Sequence, residues 1–214
     1  MHNSKRMLGI GLLGALSLVG CGGKIRYPNY YVLSVPASVP AANRSAPILG
    51  SVGVREFDAP RFLKAGAIVS RESPEQLDFY DFHRWADDPR RMVTDAMVRE
   101  MRARGLFHSV DLFDGRGSPE CLVTGTLDHL EEVREGKDVS IEVGLSARLN
   151  NLRTGDVLWQ GSSSKNEKLD QRSVPGIVAE MSREMTNIVV SLVSSLQDGI
   201  STNPSALSRS NTQP

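Results

Sequence analysis

The sequence has few cysteines, few aromatic residues and no excess charge of either sign. Only two of its 214 residues are cysteine, which excludes a small scaffold held together by several disulfides. Its 25 basic and 25 acidic residues cancel, whereas a general nucleic-acid-binding protein would show a basic excess. Hydrophobic residues still make up 40% of the chain, which excludes an intrinsically disordered protein. This length predicts one ordinary domain with appendages.

The sequence also has few motifs that would support catalysis or metal binding. His83, His108 and His129 are far apart, and no HExxH or CxxC spacing is present. No GxSxG motif indicates a nucleophile, and the one Gly-rich segment that resembles a phosphate loop, 9–14, lies in the apolar N-terminal run. We therefore predict a protein that is not an enzyme and that binds no metal and no cofactor.

The N-terminal residues are typical of an export signal. Lys5 and Arg6 precede an apolar run, 7–17, that is much shorter than the roughly 20 residues of a membrane-spanning helix. The run ends in Leu18-Val19-Gly20-Cys21, which resembles the lipobox of bacterial lipoproteins. The resemblance implies a signal peptide over residues 1–20, cleavage after Gly20 and before Cys21, and acylation of Cys21. The alternative is a buried apolar helix that ends in cysteine by chance.

The residue after the cysteine bears on the destination of the protein. Lipoproteins that stay at the inner membrane of enteric-type bacteria usually carry Asp there, and this chain has Gly22. We therefore expect a lipid anchor at the periplasmic face of the outer membrane of a Gram-negative bacterium, rather than at the inner membrane. Two or three acyl chains anchor a protein stably without a spanning helix.

Composition divides the chain after the signal peptide into three parts. Residues 21–46 are interrupted by prolines and predict a lipidated tether, in which Tyr30-Tyr31-Val32-Leu33 is prone to form an edge strand. Residues 47–199 have the periodicities of a single domain. Residues 200–214 are rich in Ser, Asn and Thr and predict a disordered tail.

The periodicities within 47–199 predict an α+β fold. Strands are predicted over 48–54, 67–71, 77–85, 122–133, 139–152 and 157–165. Helices are predicted over 89–104 and 175–198, closed by Gly105 and Gly199. This order predicts a mostly antiparallel twisted sheet with two main helices packed on one face and a polar face in water.

Arginines concentrate on the predicted helix 89–104 and its lead-in. Arg91, Arg99 and Arg102 fall on one predicted helix face. One interpretation is an ordinary solvated face balanced by acids such as Glu100. The other is a contact for an anionic partner, either a lipid head group or a protein.

Four short segments, in order along the chain, resemble a known family. They are Tyr30-Tyr31-Val32-Leu33, Val52-Gly53-Val54, Ile68-Val69-Ser70-Arg71 and Arg84-Trp85-Ala86. Together with the lipobox they resemble the ABC-type transport auxiliary lipoprotein family, the PqiC-like family, over about residues 21–198. Asp87-Asp88 departs from the Glu-Pro that is more frequent in the family. We expect structural roles for Trp85, as a plug between strand and helix, and for Arg84, as a partner of nearby acids.

The resemblance implies a non-catalytic docking or auxiliary component of a trans-envelope ABC/MCE-type lipid transport system, PqiABC- or Mla-like. The implied partners are an MCE-domain protein, ABC transporter components and outer-membrane lipid through acylated Cys21, with no nucleic acid. A homo-oligomer would suit a partner that is itself a multimeric tube. The alternative is an outer-membrane assembly or ligand-binding lipoprotein that resembles the lipopolysaccharide-assembly lipoproteins.

Replacing the lipobox cysteine tests the predicted anchor. Cys21→Ser should accumulate as an uncleaved precursor, because serine cannot form the thioether that the processing enzyme requires. The sizes of the two proteins on a denaturing gel provide the measurement. Cys121→Ser, which changes the other cysteine, should be processed normally, and mature-sized Cys21→Ser protein would contradict the prediction.

Overall fold

The computed structural model of the protein describes residues 26–39, 49–170 and 173–202. The predicted signal peptide, Cys21 and most of the predicted tail lie outside these residues. The strands are β1 (Asn29–Tyr31), β2 (Leu49–Val54), β3 (Ala67–Ser73), β4 (Gln76–Trp85), β5 (Phe107–Leu112), β6 (Cys121–Glu135), β7 (Asp138–Asn151) and β8 (Val157–Lys168). The helices are α1 (Pro89–Arg104) and α2 (Val174–Thr202), and a 3-10 helix spans Arg61–Ala65.

All eight strands belong to one sheet that forks along β6. One edge of β6 pairs with β7 along its whole length, and β7 pairs with β8. The other edge is shared: β2 pairs with residues 121–123 of β6, and β3 pairs with residues 131–133. β5 extends the β2 branch, while β4 and then β1 extend the β3 branch. The fold is therefore the predicted α+β single domain with two helices on its sheet.

Strand direction differs between the two sides of β6. The β6–β7, β7–β8 and β3–β4 pairs are antiparallel and include most of the paired residues, as predicted for a mostly antiparallel sheet. The β2–β6, β3–β6, β2–β5 and β1–β4 pairs are parallel and short. Parallel strands need connections that cross over rather than tight turns, and α1 lies within the connections from β2 to β5 and from β3 to β6.

Phe57-Asp58, in the loop after β2, closes the gap between the branches of the fork. The Asp58 N–H donates to the Gly125 carbonyl at 2.9 Å, and the Asp58 carbonyl accepts from the Leu127 N–H at 2.8 Å. The Phe57 side chain is fully buried, and a Cβ at position 125 would come within 2.6 Å of its ring. The Phe57 N–H also donates to the Thr94 hydroxyl of α1 at 3.0 Å. Gly125 therefore permits the close approach that joins β6, the loop and α1.

The core lies between the sheet and the two helices. Alternate residues of β7 supply its sheet side: Ile141, Val143, Leu145 and Leu149. Residues of α2 spaced by three or four supply its helix side: Ile177, Met181, Met185, Ile188 and Leu192. Both faces follow the periodicities that predicted them.

The bounds of α1 agree with the prediction, and those of α2 do not. Asp88 caps α1 by accepting from the Arg90 N–H at 2.9 Å, and Gly105 ends it with a φ of 66°. Gly199 does not end α2, which continues to Thr202 and buries Ile200. The domain therefore extends past 199 into the predicted tail.

Gly199 has a packing role instead of a terminating one. A Cβ at position 199 would lie 2.9 Å from Cδ1 of Trp159, so glycine lets α2 approach this ring closely. A Cβ at position 161 on β8 would likewise come within 2.6 Å of Cζ2 of the same ring. The indole N–H donates to the Ser195 hydroxyl at 3.3 Å. The sequence pattern could not separate this use of glycine from a helix end, because it depends on a residue forty positions earlier.

β5 is a strand that the sequence pattern did not predict. Its two buried residues, Phe107 and Val110, are three positions apart, so the period of two that identifies a half-buried strand is absent. The strand forms because β2 provides a parallel partner for it.

We expect Phe57→Ala to lower the free energy of unfolding by about 3–5 kcal/mol, since it leaves a cavity where the loop, β6 and α1 meet. Phe79→Ala is the matched control: Phe79 is 40% exposed on β4, and its loss should cost about 1 kcal/mol or less. Urea denaturation of the purified proteins measures both. Equal losses in the two variants would contradict the proposed role of Phe57.

Candidate functional site

The N-terminal strap, residues 29–38, is bound to the domain along its length. β1 pairs with the end of β4, with Tyr31 opposite Trp85, and the Ala86 N–H donates to the Tyr31 carbonyl at 2.7 Å. Leu33 and Val35 follow and are buried in the core. The predicted tether, 21–46, therefore contains a segment that packs as part of the domain. Its two buried apolar residues are too few to distinguish it from a linker by pattern alone.

Side chains of both helices bind the strap through its backbone. The Ser34 N–H donates to the Ser182 hydroxyl of α2 at 3.1 Å. The Arg99 guanidinium of α1 donates to the Val35 carbonyl at 3.1 Å. The Ser38 N–H and hydroxyl donate to the Glu100 carboxylate at 2.7 and 2.9 Å. These contacts satisfy backbone groups that a strap outside the sheet would otherwise leave without partners.

Glu100 is the charged residue at the centre of this attachment. Its side chain is buried and also accepts from Arg104 Nε at 2.8 Å. Burial raises the pKa of Glu100, but the hydrogen bonds from Ser38 and Arg104 outweigh it and bring the pKa below the usual 4.5. The carboxylate is therefore ionised at neutral pH, where it accepts the strap's hydrogen bonds most strongly.

The three arginines singled out on α1 differ in their contacts. Arg91 is exposed, and its ion pair with Asp87 is long, at 3.9 Å. Arg99 binds the strap. Arg102 donates to the Val110 carbonyl at 2.7 Å and to Asp111 at 3.0 Å, which attaches β5 to α1. All three are exposed, but two of them already make hydrogen bonds within the domain.

Trp85 and Arg84 end β4 with opposite environments. Trp85 is 5% exposed and belongs to the core, and its backbone N–H donates to the Gly66 carbonyl at 2.9 Å. Arg84 is exposed opposite Tyr30, and no carboxylate of the described residues lies within ion-pair distance of it. The expectation that Arg84 pairs with nearby acids is therefore wrong for the part of the chain that the structure describes.

A partly buried ionic network around the buried Glu132 joins three strands, β3, β4 and β6. The Tyr80 hydroxyl donates to Glu132 at 2.7 Å, and Arg134 donates to the Tyr80 oxygen at 2.6 Å and to Glu72 at 2.9 Å. Burial and the neighbouring Glu132 carboxylate raise the pKa of Tyr80 to about 12. Because every charge has a partner, the network fixes β3, β4 and β6 relative to one another. The sequence showed Glu131-Glu132 only as a pair that a solvated strand face could carry.

A second network includes three residues whose ligand atoms lie within 4.8 Å of one another: His129, Glu131 and Glu142. Arg71 donates to both oxygens of the buried Glu131, at 2.9 and 3.1 Å. The two ring nitrogens of His129 are directed to different carboxylates, Nδ1 to Glu131 at 3.5 Å and Nε2 to Glu142 at 3.7 Å. Arg71 already neutralises Glu131 and would compete with an ion for its oxygens, so the arrangement favours an ion-pair network.

Neither Cys121 nor Ser162 is placed as an activated nucleophile. Cys121 is buried, and burial together with the nearby Glu120 raises the pKa of its thiol to about 11, so the reactive thiolate is scarce at neutral pH. Ser162 and Lys165 have a Ser-x-x-Lys spacing, but they lie on β8, where residues three apart point to opposite faces.

An open cleft of about 790 Å³ lies on the sheet face away from the helices. It is bordered by the loop after β2 and floored by β6, β7 and β8. Its lining is mostly polar and includes Arg55, Asp58, Thr124, Ser146, Arg148 and Ser162. Charges of both signs and several hydroxyls make it suited to hydrogen bonding.

No described helix combines the length and the apolar character that crossing a bilayer requires.

Comparison with known proteins identifies a family whose model covers most of the described domain. The family model described as the ABC-type transport auxiliary lipoprotein component matches residues 31–193. The match begins at Tyr31, the last residue of β1, and ends in α2, so it includes most of the strap. No curated protein is detectably similar in sequence.

Solved structures share the fold at low sequence identity. A protein of Xanthomonas campestris, from the family DUF330, superposes with a TM-score of 0.67 at 16% identity, covering 86% of this chain and all of that one. An uncharacterised protein superposes with a TM-score of 0.59 at 13% identity, covering 78% of this chain and 96% of that one. At these identities the likeness establishes the fold alone.

Replacing the buried carboxylate tests the attachment of the strap. Glu100→Gln should lower the free energy of unfolding by about 2 kcal/mol, because the amide loses its charged hydrogen bonds with Ser38 and Arg104. Asp111→Asn is the control, since it removes a carboxylate that pairs with an α1 arginine in an exposed position and should cost about 1 kcal/mol or less. Urea denaturation at pH 7 measures both.

The contribution of Glu100 should depend on pH. Because its folded pKa is below 4.5, the stabilisation is complete above that value and disappears as the pH falls through the lowered folded pKa. The difference in unfolding free energy between wild type and Glu100→Gln should therefore shrink below pH 4.5. A difference that stays constant from pH 7 into acid would contradict this assignment.

Proposed function

Because the chain belongs to the ABC-type transport auxiliary lipoprotein family, we propose that it is the outer-membrane component of a trans-envelope ABC/MCE-type lipid transport system. In this role the protein is acylated at Cys21, faces the periplasm and docks the transport apparatus without catalysing a reaction. The family match over residues 31–193 is the observation on which the proposal rests.

The attachment of the strap supports a mechanical role. The proposed acylation site lies ten residues before Tyr31, where β1 is already paired with β4. From there the chain is bound by α1 and α2 as far as Ser38. A pull on the anchor is therefore transmitted to the sheet and both helices. Such a connection suits a component that fixes the position of a partner relative to the membrane.

Arg91 is the α1 arginine that we propose contacts a partner. It is 61% exposed, and its ion pair with Asp87 is weak, whereas Arg99 and Arg102 act within the domain. Replacing Arg99 would also disturb the strap, and replacing Arg102 would also disturb β5, so an effect of either change on partner binding could be indirect.

Substituting these arginines singly separates the two effects. Arg91→Ser should reduce recovery of the partner and leave the unfolding free energy within about 0.5 kcal/mol of wild type. Arg99→Ser should lower the stability, since the Val35 carbonyl loses its donor. Quantitative copurification measures partner recovery, and urea denaturation measures the unfolding free energy, for both variants. Normal recovery with Arg91→Ser would argue against the proposed contact.

Capture of crosslinked partners tests the proposed function. Cells expressing the lipidated protein with a C-terminal tag are crosslinked, the membranes are solubilised, and the captured proteins are identified by mass spectrometry. We expect an MCE-domain protein with the ABC permease and ATPase. Cys21→Ser, which lacks the anchor, is the control and should recover much less of each. Recovery of outer-membrane assembly proteins instead would favour the alternative function.

A further inference from the structure

Exposed aromatic and basic residues cluster where the strap meets the end of β4. Tyr27, Tyr30 and Val32 are 78%, 64% and 62% exposed, which is unusual for large side chains beside a sheet. Phe82 is 36% exposed, and the Arg26 guanidinium lies 5.0 Å from the centre of its ring. Arg84 lies opposite Tyr30 on the neighbouring strand, so their side chains share a face.

We propose that this cluster is a second membrane contact, which seats the β1–β4 edge on a surface of anionic phospholipid. We call it the anchor-proximal patch, and it consists of Arg26, Tyr27, Tyr30, Val32, Phe82 and Arg84. The inference rests on the proposed acylation of Cys21 and extends it, because it states which edge of the domain faces the lipid.

Chain length limits how far the patch can lie from the bilayer. Five peptide units separate Cys21 from Arg26, and an extended chain spans at most about 3.6 Å per residue, so the two are within about 18 Å. Acyl chains on Cys21 insert into the hydrocarbon region, which places residue 21 at the head groups. Arg26, the first residue of the patch, therefore lies within reach of the membrane surface.

The binding of the strap keeps the patch there. β1 is paired with β4 from Asn29, and the following residues are bonded to both helices. The domain consequently cannot swing away on a long linker. Among the large exposed apolar side chains of the described residues, those of Tyr27, Tyr30 and Val32 are the nearest along the chain to the acylation site.

The chemistry of the patch matches a membrane interface. Tyrosine has an apolar ring and a polar hydroxyl, and it concentrates at the boundary between head groups and hydrocarbon. Arginine can lay its apolar stem against lipid while its charge remains among phosphates. Lys24 and Arg26 add positive charge between the anchor and the strap, where an anionic surface would attract it.

A tryptophan reporter tests the contact. Lipidated Tyr30→Trp protein is reconstituted, without any partner protein, into vesicles of phosphatidylethanolamine and phosphatidylglycerol that contain brominated phospholipid. The native Trp85 and Trp159 are buried and give a constant background that wild-type protein measures. We expect about a twofold loss of the added fluorescence, because interfacial tryptophan lies within reach of the bromine atoms.

The matched control is Val157→Trp. Val157 is 54% exposed at the start of β8, on the other side of β6 from β1, so its reporter should be quenched little. Tyr27→Trp is a second reporter, at a position outside the strands, in case a change in β1 disturbs folding. Replacing phosphatidylglycerol by neutral lipid should weaken quenching at both patch positions.

Mass spectrometry of the same preparation separates the possible failures. Acylated protein in which Tyr30→Trp and Tyr27→Trp are quenched no more than Val157→Trp would overturn the membrane contact and leave the proposed anchor intact. A preparation without acyl chains on Cys21 would overturn both. Quenching that appears only after the transport partners are added would identify the patch as a protein contact and overturn the inference.

Discussion

The fold depends on the hydrogen-bonding demand of one long strand. β6 has 15 residues, and each of its edges needs partners along its whole length. β7 satisfies one edge alone, but the other is divided between β2 and β3, which bring separate branches of the sheet. Asp58 supplies the bonds between them, and Phe57 fills the space behind. The two branches, α1 and the loop are consequently one cooperative unit.

The β3 branch connects this unit to the N-terminal strap. β1 adds to β4, and the chain then crosses α1 and α2 with its backbone bonded to Ser182, Arg99 and Glu100. Two of these side chains, Ser182 and Glu100, are buried next to the core, whereas Arg99 is exposed. An anchor attached to this strap therefore orients the domain, which a flexible linker would not do. A fixed orientation of the domain relative to its anchor is what both the proposed docking role and the proposed membrane contact require.

Sequence patterns predicted the elements whose signal is local. Helix α1 has a capping Asp88, a proline at its first turn and a closing glycine, and its bounds agree with the prediction. The alternation in β7 and the helical spacing in α2 identified the core residues correctly. Prediction failed where a residue's role comes from a distant neighbour: Gly199 serves Trp159, and β5 depends on β2. For the candidate site, Arg99 and Arg102 were recognised as a group, but their internal partners were not.

The amino-acid sequence alone was enough to identify an α+β domain with ordered motifs of one family, preceded by a segment that resembles a lipobox. It could do so because capping, periodicity and short motifs are properties of adjacent residues. That residues 29–38 belong to the domain, and that Glu100 is buried against them, became visible in the folded structure. Those facts depend on contacts across about sixty residues, between a strap with two buried apolar side chains and a groove that exists only after both helices have packed.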